Sequence, residues 1–326
     1  MNADRSPSSA PLPIIDAHTH IGVEVLFYLR GYQPYGLGWS ELVEMGDGLG
    51  IDRFVVFPMP THLALDPRKL RDGLVDSRGG WESVPYAFEN RRMMVEIGRC
   101  ADSAHRALPL WMFDPMREPQ RQVEALRELS GEFPCAGLKV QATIIQSPIT
   151  HLLREGGCIL DLAEEMNWPV LFHTSVHPQD PWSQVADLVK IVESRPRIRF
   201  NLAHSCRFDR PTLDRVAELP NAWFDCSAHT IHCRQVLEES PCIAPPARRF
   251  PSDYRDPSQV LADLAAAYPD KLLWGSDAPF YSYVDEAMSL LSSYQREVTA
   301  LRALDAAVVE RIARTNTLNF LGRRPD

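Results

Sequence analysis

Near the start of the chain two histidines stand one residue apart, in Ile14-Ile15-Asp16-Ala17-His18-Thr19-His20. The two apolar residues that lead in read as the start of a buried strand. Alternate side chains of a strand point to one face, so His18 and His20 project together, with Asp16 on the same side. Two imidazoles held side by side can share one metal ion. They can equally be a buried, hydrogen-bonded histidine beside a solvated one, and a motif this short does not decide between the two.

Further groups of the same chemical type follow apolar runs elsewhere. Lys139 lies in Gly137-Leu138-Lys139-Val140, His173 ends Pro169-Val170-Leu171-Phe172, His204 follows the run that begins at Ile198, and Asp277 ends Lys271-Leu272-Leu273-Trp274-Gly275-Ser276. Neutral imidazole and carboxylate suit Zn²⁺, and also Mn²⁺ or Fe²⁺. A catalytic site of this kind keeps a position for water and lowers its pKa toward ~7, which yields a hydroxide nucleophile at neutral pH. A side chain not committed to the metal then moves the protons.

The elements that must position these groups are eight short apolar strands: 14–20, 53–57, 108–113, 136–140, 169–173, 198–204, 222–226 and 271–277. Helical patterns lie between and after them, over 41–45, 90–107, 119–129, 159–166, 182–194, 211–219, 258–268, 285–300 and 305–320. Strand–helix alternation implies parallel pairing with right-handed crossovers. Eight such units predict an α/β fold, a distorted (β/α)₈ TIM barrel, as one domain over 14–326. A doubly wound sheet would carry a Gly-rich phosphate loop after its first strand, and G-x-G-x-x-G is absent. Residues 1–13 read as a flexible polar tail, and 22–39, 61–87 and 229–258 as long loops. Loops of that length in a compact chain are usually functional or mobile.

In a barrel the C-terminal strand ends converge on one mouth. That ring brings together His18, His20, His173 and His204, four of the ten histidines, with Asp277 and Lys139. Chance places one or two such groups at strand ends, not the whole set.

Composition narrows the class. The chain has 326 residues, 45% hydrophobic and 24% charged, which is ordinary for a globular protein. The net charge of −9 offers no electrostatic footprint for nucleic acid. No apolar run reaches the ~20 residues of a membrane span, and the first residues lack the apolar stretch of a signal peptide. Seven scattered cysteines without a C-x-x-C pair suit a reduced, cytoplasmic chain. The expected partner is a small-molecule substrate, with no nucleic acid and no membrane.

His18-x-His20, His173, His204 and Trp274-Gly275-Ser276-Asp277-Ala278-Pro279 resemble the amidohydrolase superfamily, above all its amidohydrolase-related branch, which includes aminocarboxymuconate-semialdehyde decarboxylase. Asn90 in the second helix, Asp114-Pro115 after the third strand and the tail Asn316-Thr317-Leu318-Asn319-Phe320-Leu321 look like the same branch, so the resemblance spans nearly the whole chain. It implies His18, His20, His173 and Asp277 as ligands of one Zn²⁺ (or Mn²⁺ or Fe²⁺) rather than two ions. It implies His204 as the acid/base that orients or activates the metal-bound water, with Asp277 as a second proton acceptor. Dimers are common among such relatives, which makes a homodimer an expectation here.

Lys139 has two roles open to it. In binuclear amidohydrolases the lysine of the fourth strand is carbamylated and bridges two metals. In many members of this branch the run is Gly-x-Lys-x-His-Pro and the lysine is a cation near the substrate. Here it is Gly137-Leu138-Lys139-Val140-Gln141-Ala142, without His-Pro. Decarboxylases of the family generally lack this lysine, so its presence favours hydrolysis.

Other candidates are substrate contacts. Arg30 or Arg207 could clamp a carboxylate bidentately. His177, His229, His232 and Tyr281 stand in loops near strand ends, and Cys226-x-x-His229-x-x-His232-Cys233 fits structural zinc spacing poorly. The expected activity is a metal-dependent hydrolase whose metal-bound hydroxide attacks the carbonyl of an amide, ester or lactone in a small substrate, one that bears a carboxylate if either arginine clamps it. Two alternatives stay open: non-oxidative decarboxylation or hydration of an unsaturated or aromatic acid on the same site, and an inactive barrel that binds a ligand.

Overall fold

The computed structural model describes residues 13–78, 84–282 and 292–324. Nearly all of the expected N-terminal tail and the start of the helix expected from 285 lie outside these residues. Nine strands form one sheet in the order β2-β1-β3-β4-β5-β6-β7-β8-β9. They are β1 (Ile14–Val23), β2 (Gly36–Leu37), β3 (Ile51–Pro58), β4 (Ala107–Met112), β5 (Gly137–Val140), β6 (Val170–Phe172), β7 (Phe200–Leu202), β8 (Ala222–Asp225) and β9 (Leu272–Leu273). All neighbours are parallel except β2, which pairs antiparallel with the end of β1.

The sheet closes on itself. Ala17 N–H donates to the Trp274 carbonyl at 3.1 Å, Asp277 N–H to the His18 carbonyl at 2.9 Å, and His20 N–H to the Ala278 carbonyl at 2.7 Å. Eight parallel strands thus make the expected distorted barrel. Its distortion is one of unequal staves: β1 has ten residues and β9 two. β2 is an addition within the segment read as the first loop, which also holds a helix, Val25–Arg30.

Strand alternation sorts the apolar residues into two layers. Val55, Phe57, Leu108, Leu110, Leu171 and Leu273 belong to one buried cluster, the barrel interior. Their neighbours Phe54, Val56, Trp111, Val170, Phe172 and Leu272 pack outward against helix residues such as Leu188, Leu213 and Leu261. The same parity turns Lys139, Asn201 and Asp225 inward, because Leu138, Val140, Phe200, Leu202 and Phe224 all face the helices. Asn90 locks the β4 edge by exchanging two hydrogen bonds with the Met112 backbone, at 2.9 and 2.8 Å.

Two sequence expectations change. The segment 229–258 is not all loop: His229–Leu237 is a helix that buries Ile231, Cys233 and Val236. Its polar His and Arg residues hide the apolar period. Asp16 also leaves the face of the two imidazoles. Pairing between β1 and β3 shifts register between Asp16 and Thr19, so the alternation slips there. Ile15 and Ala17 face the interior before the slip, and His18 and His20 meet Phe57 edge to face after it. Asp16 instead accepts the Ser276 amide at 2.9 Å and the Tyr294 hydroxyl at 2.8 Å, tying β1 to the closing strand and the helix Tyr294–Arg302.

β1 runs directly into Glu24, which is fully buried. Its carboxylate accepts Leu26 N–H at 3.2 Å, Thr61 N–H at 2.9 Å and the Thr61 hydroxyl, and so caps the helix Val25–Arg30. Burial outweighs these bonds and pushes its pKa up to about 7 from 4.5. A carboxyl whose folded pKa is raised contributes stability fully below its unfolded value and loses it as pH rises through the folded value. The span of that loss is on the order of 3 kcal/mol. Melting curves between about pH 5 and 8 should therefore show a shallower decline for Glu24→Gln than for the wild type; parallel declines would remove Glu24 as a source of the pH dependence.

Candidate metal centre

His18, His20 and Asp277 meet at the barrel mouth, each offering one ligand atom, with all three atoms within 4.8 Å of one another. Asp277 Oδ1 lies 3.2 Å from His18 Nε2 and 3.5 Å from His20 Nε2. The other ring nitrogens are anchored. His18 Nδ1 is 3.1 Å from Asp225 Oδ2, and His20 Nδ1 is 3.0 Å from the Pro58 carbonyl. A ring whose Nδ1–H donates to an oxygen presents the Nε2 lone pair. Two imidazole lone pairs and a carboxylate oxygen converge, so these residues fit a divalent ion of the Zn²⁺, Mn²⁺ or Fe²⁺ type.

Electrostatics agree with that fit. Burial opposes charge on Asp277, yet the His18 charge and the two imidazoles that face it hold its carboxyl well below the usual range. Burial pushes His20 down to about 4, so it is neutral. Burial and Lys139 also disfavour charge on His18, but Asp225 and Asp277 outweigh them and raise its pKa. A cation at that point is favoured, and a metal ion would take the place of the proton.

Beside this trio stands a chain of neutral imidazoles. His204 Nε2 is 2.9 Å from His173 Nδ1, and His173 Nε2 is 3.0 Å from Arg207 Nη2. Arg207 Nη1 is 2.5 Å from His232 Nε2, and its Nε donates to the Thr174 carbonyl at 2.8 Å. Burial, followed by the Arg207 charge, holds His173, His204 and His232 well below the usual histidine pKa. Since a guanidinium only donates, His173 Nε2 accepts and its Nδ1–H donates to His204. His173 therefore lies outside the three-residue ligand group, with both ring nitrogens engaged.

The backbone explains why His204 and Arg207 reach the same ring. Residues 204–208 all have positive φ, from 48° to 62°, although none is glycine. This single left-handed turn costs on the order of 1–2 kcal/mol per residue. In a turn of three residues, positions i and i+3 eclipse, which places the side chains of 204 and 207 together over His173. Such strain persists where the surrounding packing enforces it, and is concentrated at functional sites.

Lys139 is fully buried beside the ligand-side nitrogen of His18, with Nζ 3.3 Å from His18 Nε2 and 4.9 Å above the Phe57 ring. Burial pulls its pKa down to about 7, against the pull of Asp225 and Asp277. The trio, His173, His204, Arg207 and His232 line one cavity of about 270 Å³, walled by Phe27, Ile144, Ile231 and Phe280. Its size is that of a small substrate.

Other candidates lie elsewhere. Arg30 is exposed at the end of its helix, beside Gly73. The His177 ring accepts a hydrogen bond from Gln179 N–H in its own turn. His229 faces the other way along its helix, with Nε2 on the Pro257 carbonyl at 2.9 Å. Tyr281 stacks on Tyr294. None of the four lines the cavity. Conversely, Asp225, Ser227 and Asn201 hold the site together without having been singled out. Asp225 could have been found by the rule that found His173, since it directly ends the apolar run Trp223-Phe224.

Solved structures share this architecture. An amidohydrolase from Burkholderia multivorans with bound HEPES matches with TM-score 0.62 at 13% identity, over 96% of this chain and 100% of that one. A 2,6-dihydroxybenzoate decarboxylase complexed with 2,6-dihydroxybenzoate matches with TM-score 0.59 at 15% identity, over 96% and 98%. A dihydroxybenzoic acid decarboxylase from a Polaromonas species, with bound manganese and the inhibitor 2-nitroresorcinol, matches with TM-score 0.59 at 12% identity, over 95% and 97%. At these identities the likeness is one of fold. No curated protein matches the chain. The family model for amidohydrolases matches residues 15–323, the span of the whole barrel from β1 to the last helix. The resemblance to the amidohydrolase superfamily is thereby confirmed, and the chain belongs to the amidohydrolase family.

Proposed function

We propose that the protein is a metal-dependent hydrolase acting on the carbonyl of a small amide, ester or lactone. The observation that carries this reading is the convergence of His18 Nε2, His20 Nε2 and Asp277 Oδ1 within 4.8 Å at the edge of a small cavity, beside a neutral His204. His18, His20 and Asp277 would hold the ion, and His173 would join them as a further ligand by giving up its bond to Arg207 or to His204. A divalent ion there supplies Lewis-acid polarisation of the carbonyl and acidifies water toward neutrality.

The remaining work falls to side chains. Asp277, charged and facing both imidazoles, is the carboxylate placed to accept a proton from the attacking water. His204 donates Nδ1–H toward Ser227 and turns its Nε2 lone pair to the cavity side, where it meets His173 Nδ1–H; once that bond yields, Nε2 can take the second proton of the attacking water and hand it to the leaving group. Lys139, a lysine that decarboxylases resembling this branch generally lack, favours hydrolysis over decarboxylation, whether as a carbamate ligand or as a buried amine against His18.

Arg207 would bind a substrate carboxylate. Its guanidinium lines the cavity, and no carboxylate lies within 4 Å of it among the described residues. A charge-assisted hydrogen bond of about 1.5–3 kcal/mol sets the scale of the next expectation. Arg207→Met should raise KM for an acidic substrate by about 10- to 100-fold and leave KM for its neutral amide analogue within about threefold; equal effects on both would take Arg207 off the carboxylate.

A second reading is non-oxidative decarboxylation. The same unpaired cation favours it, because it draws a carboxylate into the cavity, and two of the similar folds are decarboxylases. Turnover in ¹⁸O-labelled water separates the two. Hydrolysis places the label in the product acid. Release of CO₂ with no label incorporated would replace hydrolysis by decarboxylation.

A further inference from the structure

Asp225 ends β8 and is completely buried, away from the cavity. It accepts five hydrogen bonds. Oδ2 takes His18 Nδ1–H at 3.1 Å and Asn201 Nδ2–H at 2.8 Å. Oδ1 takes the His204 amide at 3.2 Å, the Ser227 amide at 3.0 Å and the Ser227 hydroxyl at 2.5 Å. Since Ser227 spends its one hydroxyl proton on Asp225, its hydroxyl oxygen is left as an acceptor toward His204 Nδ1, 2.9 Å away, and its backbone carbonyl lies 3.1 Å from the same nitrogen.

The direction of every proton in this network follows. An acceptor-only carboxylate forces His18 to carry its proton on Nδ1, which presents the Nε2 lone pair to Asp277 and His20. Asp225 also holds Ser227 by its amide and hydroxyl, and Ser227 offers His204 Nδ1 two oxygens, so His204 carries its proton on Nδ1 and its Nε2 lone pair accepts His173 Nδ1–H at the cavity wall. The two rings lie 5.3 Å apart, centroid to centroid.

We infer that Asp225 is a positioning residue shared by two imidazoles, fixing the tautomer of His18 directly and that of His204 through Ser227. The inference rests on the proposed roles of His18 as a metal ligand and His204 as the acid/base. The two arms are separable, because Ser227 touches His204 and not His18. Asn201 secures the branch point by donating to the oxygen that His18 uses, so both arms hang from one fixed carboxylate.

The test compares Asp225→Asn, Ser227→Ala and His18→Ala in the full chain. Zn²⁺ is titrated into metal-free protein against a chelating indicator, and kcat and KM are measured on the same preparations. Asp225→Asn should weaken Zn²⁺ binding by about 10- to 100-fold, the usual cost of losing an outer partner of a histidine ligand, and should also lower kcat. Ser227→Ala should leave Zn²⁺ affinity within about twofold and KM unchanged while kcat falls about 2- to 10-fold, the weight of one neutral hydrogen bond, since the Ser227 carbonyl keeps its place 3.1 Å from His204 Nδ1. A merely structural role would move neither affinity nor kcat selectively. Wild-type Zn²⁺ affinity in folded Asp225→Asn overturns the inference, as does an unchanged kcat in Ser227→Ala. If Asp225→Asn does not fold, the Ser227→Ala result alone decides. His18→Ala keeps the readings apart: retained Zn²⁺ binding there refutes the metal site itself, whereas loss there with none in Asp225→Asn refutes only the shared carboxylate.

Discussion

Asp277→Asn should abolish turnover while the barrel stays folded. The substitution preserves volume and the backbone N–H that donates to the His18 carbonyl, one of the bonds that closes the sheet. What it removes is charge. Asp277 is the only carboxylate in the three-residue ligand group among the described residues. An amide in its place can still offer an oxygen to the imidazoles that now face Asp277 Oδ1 at 3.2 and 3.5 Å, but it carries no charge. It can neither neutralise a divalent ion nor accept a proton. Metal catalysis supplies several kcal/mol of transition-state stabilisation, so kcat should fall by about a thousandfold or more. Unchanged far-ultraviolet circular dichroism with the metal lost is the expected pairing. Full activity in this variant would remove Asp277 from the chemistry.

His204→Ala has the second largest expected effect, with a different signature. The His204 amide still donates to Asp225, and Ser227 keeps its own bonds to that carboxylate, so the frame around His18 survives. The loss is confined to the ring that bridges Ser227 and His173. Removal of a positioned acid/base costs about 10²- to 10⁴-fold in kcat. Metal content should stay at the wild-type level, and this separates His204 from His18, His20 and Asp277. A variant that loses the ion along with activity would make His204 a ligand instead.

The legible part of this site is the part that follows apolar runs. His18, His20, His173, His204, Asp277 and Lys139 each end or interrupt a buried strand, and barrel closure brings them together. Parity along a strand is equally legible, and it turns Lys139 and Asp225 inward. What the residues do not announce is a break in parity. The register shift between Asp16 and Thr19 separates Asp16 from the imidazoles, and no glycine or proline marks it. The left-handed turn over 204–208 is silent for the same reason: it is built from non-glycine residues that the surrounding packing holds at positive φ. Loop candidates fared by geometry, not by type. Arg207 and His232 reach the cavity because that turn and the helix His229–Leu237 aim them there. Arg30, chemically the equal of Arg207, stands on an exposed helix end. His229 and His232 differ by three positions on one helix, yet only His232 lines the cavity, which the reading of 229–258 as a loop could not separate.

The central claim is that His18, His20 and Asp277 hold one divalent ion. Its most direct test is elemental analysis of protein purified with equal Zn²⁺, Mn²⁺ and Fe²⁺, for the wild type and for the single variants His18→Ala and Asp277→Asn. One ion per wild-type chain and close to none in either variant is the expected result, with the circular dichroism of all three superimposable. Equal metal content in wild type and both variants would contradict it.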